Sequence, residues 1–590
     1  LQIIPGEENM KIKAVHIKKT LSRSLLCAVV VALGVLSAPV PMAQAAPTTY
    51  PSDAKQPDVV ALLSDYENYW KPSMPFDSGD ASTFGVGKVV NKAVMEYNDK
   101  TAQQINNAAA AGSDGTTPTS QQKRALLDAD YKMSETLPDA LGPILGAYFS
   151  EGLTEGKLPK TSELIIKDGG ALVSDYLSTG TAKTVFNHPR PFVDRTAAGY
   201  LDVKLQKTVG IKRVPVWTDA AGTNHDAGYD GFLTSGSFPS GHTTYAMSGA
   251  IGLATILPQL GPEILARGSE ASNNRIVLGL HYPLDIMGGR IDGEVANAAR
   301  WSDEAFRADK LLPAQKELAD YLASRCSTDG YGDTLDKCIA TTGANDAGGY
   351  KNGFADVVST SAVTDRASAI AAYTSRLTYG FSQTGTKGQK AKVPEGAENL
   401  LITAFPTLTA EQRKQVLADT EIDSGYPLDA SSQGYQRLNL AAAMSAKVTL
   451  AADGSVSKVE PGQKVPSVVA LAKGASQTET SDSSDTAQTS ATKTGTGDKS
   501  SADTVVPTPR DSEKEPSAEA KRSDADKKDS AKSASAKALD PVYTSGNLAH
   551  TGSNVVPIII VASVLALAGI VALIAMAIRS KKQEKIADEQ

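Results

Sequence analysis

Four of the six histidines in this 590-residue sequence, His188, His225, His242 and His281, fall within one stretch of the chain. Three short constellations surround them. Lys183 is followed by Arg190-Pro191. Gly236-Ser237-Phe238-Pro239-Ser240-Gly241-His242-Thr243 opens an apolar helical pattern. Arg275 is followed by Gly279-Leu280-His281-Tyr282-Pro283-Leu284-Asp285. Singly, each has an ordinary explanation: solvated surface cations, a turn with a helix cap, a structural hydrogen bond between His281 and Asp285. Together, in this order, they suit the handling of a phosphate ester. Such an ester carries one to two negative charges, and its three equatorial oxygens need donors in the transition state. Lys183, Arg190 and Arg275 are cationic donors, and an arginine can bind two oxygens at once. Ser240 and Gly241 fall at a helix start, where free N–H groups and the helix dipole favour an anion. Glycine there permits close backbone approach.

The elements that must hold these residues read as helices. Ala246, Met247, Ala250, Ile251 and Ala254 recur at helical intervals, and Gln121–Ser134 and Leu311–Ala323 also read as helices. Alternating strand-like runs are few, and no internal repeat is present. The expected fold class is therefore all-α, a helical bundle. Residues 46–308 contain all three constellations. Residues 309–470 form an extension with packing and turn elements, such as Leu400-Leu401-Ile402, and no legible chemistry.

The three constellations resemble the signature of the type-2 phosphatidic acid phosphatase superfamily. That group includes class A bacterial acid phosphatases, lipid phosphate phosphatases and vanadium haloperoxidases. The resemblance covers Lys183 to Asp285 and continues more weakly to about Arg300; Asn274 stands where the family usually has serine before the arginine. It implies that His281 attacks phosphorus and forms a phosphohistidine, while Asp285 accepts the other imidazole N–H and fixes its tautomer. His242 protonates the leaving oxygen and then activates water. Lys183, Arg190, Ser240, Gly241 and Arg275 bind the phosphoryl group, with no metal and no cofactor. The expected activity is a metal-independent acid phosphatase acting on phosphate monoesters. Alternatives are a vanadium-dependent haloperoxidase, with vanadate in the same pocket, a lipid phosphate phosphatase, and a wall adhesin with an inactive phosphatase fold. His188 is expected in a wall or at the surface, and His225, in the polar loop Thr223–Asp230, is expected to be solvated.

The two ends of the sequence concern location. Lys11, Lys13, Lys18, Lys19 and Arg23 precede an apolar run from Leu25 to Leu36 and the small-residue site Ala43-Gln44-Ala45. Residues 10–45 therefore read as a secretory signal peptide, and residues 1–9, ahead of Met10, as mis-annotated upstream residues. Residues 471–547 are almost devoid of large apolar side chains and read as a disordered, wall-spanning stalk. Residues 548–552, Leu548-Ala549-His550-Thr551-Gly552, resemble a Gram-positive sorting signal, which implies cleavage between Thr551 and Gly552 by a sortase and attachment to peptidoglycan. Residues 553–590 hold an apolar run from Val555 to Ile578, long enough to span a bilayer, then Arg579, Lys581 and Lys582 on the cytoplasmic side. A permanent single-pass anchor is the alternative; both place the body on the extracellular surface of a Gram-positive bacterium. Cys27 leaves with the signal peptide, so Cys326 and Cys338 form an even pair in an exported chain and are expected to be joined. The net charge of −7 argues against a nucleic-acid partner.

Overall fold

The computed structural model describes residues 50–166, 171–195, 209–429 and 434–471. The expected signal peptide, stalk, sorting signal and C-terminal apolar span lie outside the described residues. Residues 50–55 belong to a separate unit and form a short 3-10 turn over Pro51–Ala54; the rest of the described chain belongs to the unit that starts at Gln56.

Helices of seven residues or more are numbered α1 (Lys92–Ala109), α2 (Ser120–Ala129), α3 (Gly142–Thr154), α4 (Gly180–Phe186), α5 (Gly241–Ile256), α6 (Gly261–Val277), α7 (Pro283–Ser302), α8 (Leu312–Thr328), α9 (Leu335–Thr342), α10 (Arg366–Thr378) and α11 (Ala410–Thr420). The described region is mostly helical. Helix α5 is apolar on nearly every side because it is the central element, with α6 and α7 packed along it and α8 on another face. The approach of α7 depends on glycine. A Cβ at Gly289 would lie 2.6 Å from the Ser240 carbonyl oxygen, and one at Gly293 would lie 2.8 Å from Met247 Cβ. No single described helix is long and apolar enough to cross a membrane.

Residues beyond 308 complete the packing of this core. Helix α10 lies along α6, and α8 packs on α3 and α5. A three-stranded sheet closes the region: Lys447–Leu450 pairs antiparallel with Val456–Glu460 and parallel with Ser467–Ala470. Cys326 at the end of α8 is disulfide-bonded to Cys338 in α9, with Cα atoms 5.8 Å apart and both side chains buried.

The expected helix over Leu311–Ala323 is observed as Leu312–Thr328. The expected helix over Gln121–Ser134 is not continuous. It stops at Ala129 and resumes as a single turn over Met133–Thr136. Between the two, Tyr131 adopts a left-handed φ of +59°, a conformation costly for an aromatic side chain.

Candidate active site

Each of the three constellations sits at a helix end. Lys183 lies in the last turn of α4, which Asn187 closes in a left-handed conformation. Asn187 then fixes the chain by accepting from the Gly85 N–H and donating to the Thr83 and Met74 carbonyls. This delivers His188-Pro189-Arg190 into the interior. Ser240 is the N-cap of α5, its Oγ accepting from the Thr243 N–H at 3.2 Å. Arg275 is in the last turn of α6 and Asp285 in the first turn of α7, with Pro283 at the helix start. Gly279, at φ +69°, reverses the chain between them; a Cβ there would lie 2.1 Å from Ile211 Cγ2.

The turn between α6 and α7 presents His281, which is buried. Its Nδ1 stands 3.1 Å from Asp285 Oδ2, and its Nε2 stands 2.8 Å from Arg190 Nη1. A guanidinium can only donate, so Nε2 is the acceptor and the ring proton belongs on Nδ1, donated to Asp285. Asp285 also accepts from the Tyr282 N–H at 2.9 Å and from Ser237 Oγ at 3.4 Å. Ser237 in turn pairs with His188 Nδ1 at 3.1 Å. Burial raises the Asp285 pKa, to about 7, against the opposing pull of the Tyr282 N–H, Lys183 and Arg190. Burial, then the positive charges of Arg190, Lys183 and Arg275, hold the His281 pKa well below 6.5. The ring is therefore neutral at neutral pH, with a lone pair on Nε2.

The cations differ in how they are held. Arg190 donates to the Ser235 and Leu280 carbonyls as well as to His281, and its guanidinium lies 4.3 Å from the Phe232 ring centre. Arg275 is fully buried, and none of its three guanidinium nitrogens has a hydrogen-bond partner among the described residues. An unpaired buried cation is costly, and the charge of this one acts on both His242 and His281. Burial lowers the pKa of Arg190 to about 9 and that of Arg275 to about 10. Both remain charged at neutral pH.

Lys183 differs from the sequence expectation of a donor open to phosphate. Its ammonium donates to the carbonyls of Gly236 at 3.1 Å, Ser237 at 3.2 Å and Pro239 at 2.6 Å. An ammonium has three N–H bonds, and all are taken by the turn that leads into α5. In this state Lys183 shapes that turn and adds positive charge behind it.

His242, in the first turn of α5, is held by residues that the sequence reading did not single out. Its Nδ1 is 2.5 Å from the Tyr131 hydroxyl, and the two rings stack with centres 3.6 Å apart. Burial, then Arg275 and Arg190, lower the His242 pKa well below 6.5. Asn274, the departure from the family's serine, donates to Asp128 Oδ2 at 2.6 Å, tying the arginine-bearing turn of α6 to the end of α2. His188 is a wall residue, buried against Trp70, Tyr66 and Tyr282. His225 corrects its expectation. It is buried rather than solvated, because Asp130 and Asp219 both reach its ring, at 2.6 and 3.3 Å.

The helical core thus brings together a carboxylate-oriented histidine, a second histidine and buried guanidinium groups. Residues 167–305 match the sequence model of the PAP2 superfamily, and the chain carries a domain of that superfamily. It is homologous to bacterial acid phosphatases. It is 32% identical over 194 residues to an acid phosphatase of Zymomonas mobilis, an overlap of 33% of this chain and 61% of that protein. It is 28% identical to a non-specific acid phosphatase of Salmonella typhi, over 34% of this chain and 66% of that protein. It is 27% identical to one of Providencia stuartii, over 34% and 68%. The chain thus spans about three fifths to two thirds of the length of these relatives, and most of this chain lies outside the overlap.

Proposed function

We propose that this protein is a phosphatase that hydrolyses phosphate monoesters outside the cell through a phosphohistidine on His281. The observation that carries this reading is the wiring of His281: Nδ1 to Asp285, and Nε2 turned towards Arg190. When an ester binds, Arg190 and the unpaired Arg275 take its phosphoryl oxygens, with the N–H groups at the start of α5 beside them. His281 Nε2 attacks phosphorus; the P–N bond forms as the P–O ester bond breaks. His242, protonated once the anion is bound, gives its proton to the leaving oxygen. In the second step His242 takes a proton from water, oxygen attacks phosphorus, and the P–N bond breaks to release phosphate. Asp285 stabilises the cationic ring during both steps and does not change its covalent state. The names of the similar proteins support acid phosphatase activity.

Rapid quenching with labelled aryl phosphate tests the mechanism. An acid-labile phosphate on His281 is expected, with no label and no turnover in His281→Ala. Label on another residue would overturn the assignment.

The location is part of the same proposal and rests on sequence: the signal peptide over 10–45, the sorting signal at 548–552 and the apolar run after it. The Cys326–Cys338 bond is in keeping with an oxidising compartment. Wall-digesting enzymes should release a form ending at Thr551. An intact tail extracted by detergent alone would favour a permanent membrane anchor.

A further inference from the structure

The segment Asp128–Tyr131 lies ahead of the residues that match the superfamily, yet it occupies both ring nitrogens of His242. The Tyr131 hydroxyl is 2.5 Å from Nδ1, and the Ala129 carbonyl oxygen is 3.4 Å from Nε2. The Tyr131 ring lies over the imidazole with an interplanar angle of 27°, and Tyr245 meets its edge at 5.4 Å. A general acid has to come within hydrogen-bond reach of the leaving oxygen. Nε2 faces a carbonyl, which can only accept its proton, so Nδ1 is the nitrogen left to meet a leaving oxygen, and there the Tyr131 hydroxyl stands.

We propose that Tyr131 is a specificity-determining gate that occupies the leaving-group subsite of the empty enzyme. The inference rests on the assignment of His242 as general acid. Chemically, Tyr131 is a phenol hydrogen-bonded to that acid and stacked against its ring. An aryl phosphate would bring its own leaving oxygen to the same nitrogen, as an acceptor instead of a donor. Ester binding then exchanges a hydroxyl that donates to Nδ1 for an ester oxygen that accepts a proton from it. The ring of an aryl ester can also replace the stacking that Tyr131 gives up.

The backbone on either side is anchored, so the exchange is a rotation of the tyrosyl side chain. Asp128 is bound by Arg267 and Asn274. Asp130 is bound by His225, which Asp219 holds from its other nitrogen. The Tyr131 carbonyl accepts from the Met133 N–H at 3.0 Å. These contacts also account for the left-handed backbone of Tyr131: the chain is pinned at both sides, and the ring is driven inward.

The test compares the full-length chain with Tyr131→Phe and Tyr131→Gly, the latter chosen because glycine suits a positive φ. KM and kcat are measured for phenyl phosphate and for the larger naphthyl phosphate. Tyr131→Phe removes the competing hydroxyl, so KM should fall about threefold to tenfold for both, the worth of one net hydrogen bond. Tyr131→Gly empties the subsite, so the fall should be larger for naphthyl than for phenyl phosphate. Inorganic phosphate should bind tighter to Tyr131→Phe by a similar factor in calorimetry, since its fourth oxygen takes the same place. Unchanged or raised KM together with unchanged phosphate affinity would make Tyr131 a fixed wall and overturn the proposal. Absence of turnover in the wild-type chain would count against the hydrolytic reading alone, because the phosphate titration still decides whether Tyr131 competes.

Discussion

Asp285 Oδ2 accepts from two donors at once, the backbone N–H of Tyr282 at 2.9 Å and Nδ1 of His281 at 3.1 Å. The carboxylate that caps the N-terminus of α7 is therefore the same one that orients the nucleophile. Asp285→Asn and Asp285→Ala separate the two roles. Asparagine can still accept at the cap but also presents an N–H, so it favours the wrong tautomer of His281. Turnover should drop by about 10²–10⁴-fold in both variants. Thermal stability should fall further in the alanine variant, by about 1 kcal/mol for the lost cap. Equal unfolding midpoints for the two variants would separate the cap from this side chain.

Arg275 is a case where activity and stability should move in opposite directions. A buried guanidinium without partners destabilises the empty protein, and methionine fills similar volume without charge. Arg275→Met should raise the unfolding free energy by about 1–3 kcal/mol while abolishing measurable turnover. Differential scanning calorimetry beside an activity assay decides this. A lower melting temperature would show that the cation is paired in solution.

The pH dependence follows from His242, which must carry a proton to act as acid. Burial and the two guanidinium groups hold its pKa well below 6.5 in the empty site. Because kcat/KM reports the free enzyme, its alkaline limb should begin below pH 6.5. A bound phosphoryl anion favours the imidazolium and raises that pKa, so the limb in kcat should lie at higher pH. His242→Ala should remove the limb. It should also slow alkyl esters by about 10²–10⁴-fold, and nitrophenyl phosphate much less, because nitrophenolate leaves without a proton. Coincident limbs in kcat and kcat/KM would contradict the assignment.

Closing the loop between Cys326 and Cys338 should contribute about 3 kcal/mol in the chain-entropy picture. Paired Cys→Ala substitution should lower the melting temperature without changing KM, since neither α8 nor α9 supplies a hydrogen bond or ring contact to His242 or His281 among the described residues. A changed KM would mean that these helices shape the site.

Dialysis against a chelator should leave aryl phosphate turnover unchanged, because Arg190 and Arg275 supply the positive charge at the phosphoryl group. Activity lost on dialysis and restored by zinc or magnesium would sink the proposed mechanism.

What the sequence made legible was what lies close together along the chain. His281 and Asp285 share one turn, and Ser240 caps the helix that it precedes. These relationships are local, and backbone geometry alone brings the groups together. What the sequence left out concerns partners far apart. Tyr131 and His242 are 111 residues apart, and Asp128 and Asn274 are 146. No glycine or proline marks the break at Tyr131, so the local pattern reads as one helix. His225 lies in a polar loop, and only the folded chain brings Asp130 against it. The inward-turned donors of Lys183 were hidden for the same reason, since a side-chain type does not reveal which carbonyls surround it.

The packing beyond residue 308 bears on how far the chain can be shortened. Arg366 grips Glu263 of α6 through two bonds of 2.8 and 2.7 Å, and the Tyr350 hydroxyl bonds Glu270 of the same helix. Gln436 accepts from Arg290 of α7 with both its backbone and its side-chain oxygens. A chain cut at 308 would strip partners from two buried carboxylates and a buried guanidinium on the helices that carry Arg275 and Asp285. The region that contains every catalytic candidate thus shares its buried ion pairs and hydrogen bonds with the residues that follow it. Its electrostatic closure is supplied from downstream, so a chain still being made on the ribosome should settle these helices only once the later residues have emerged.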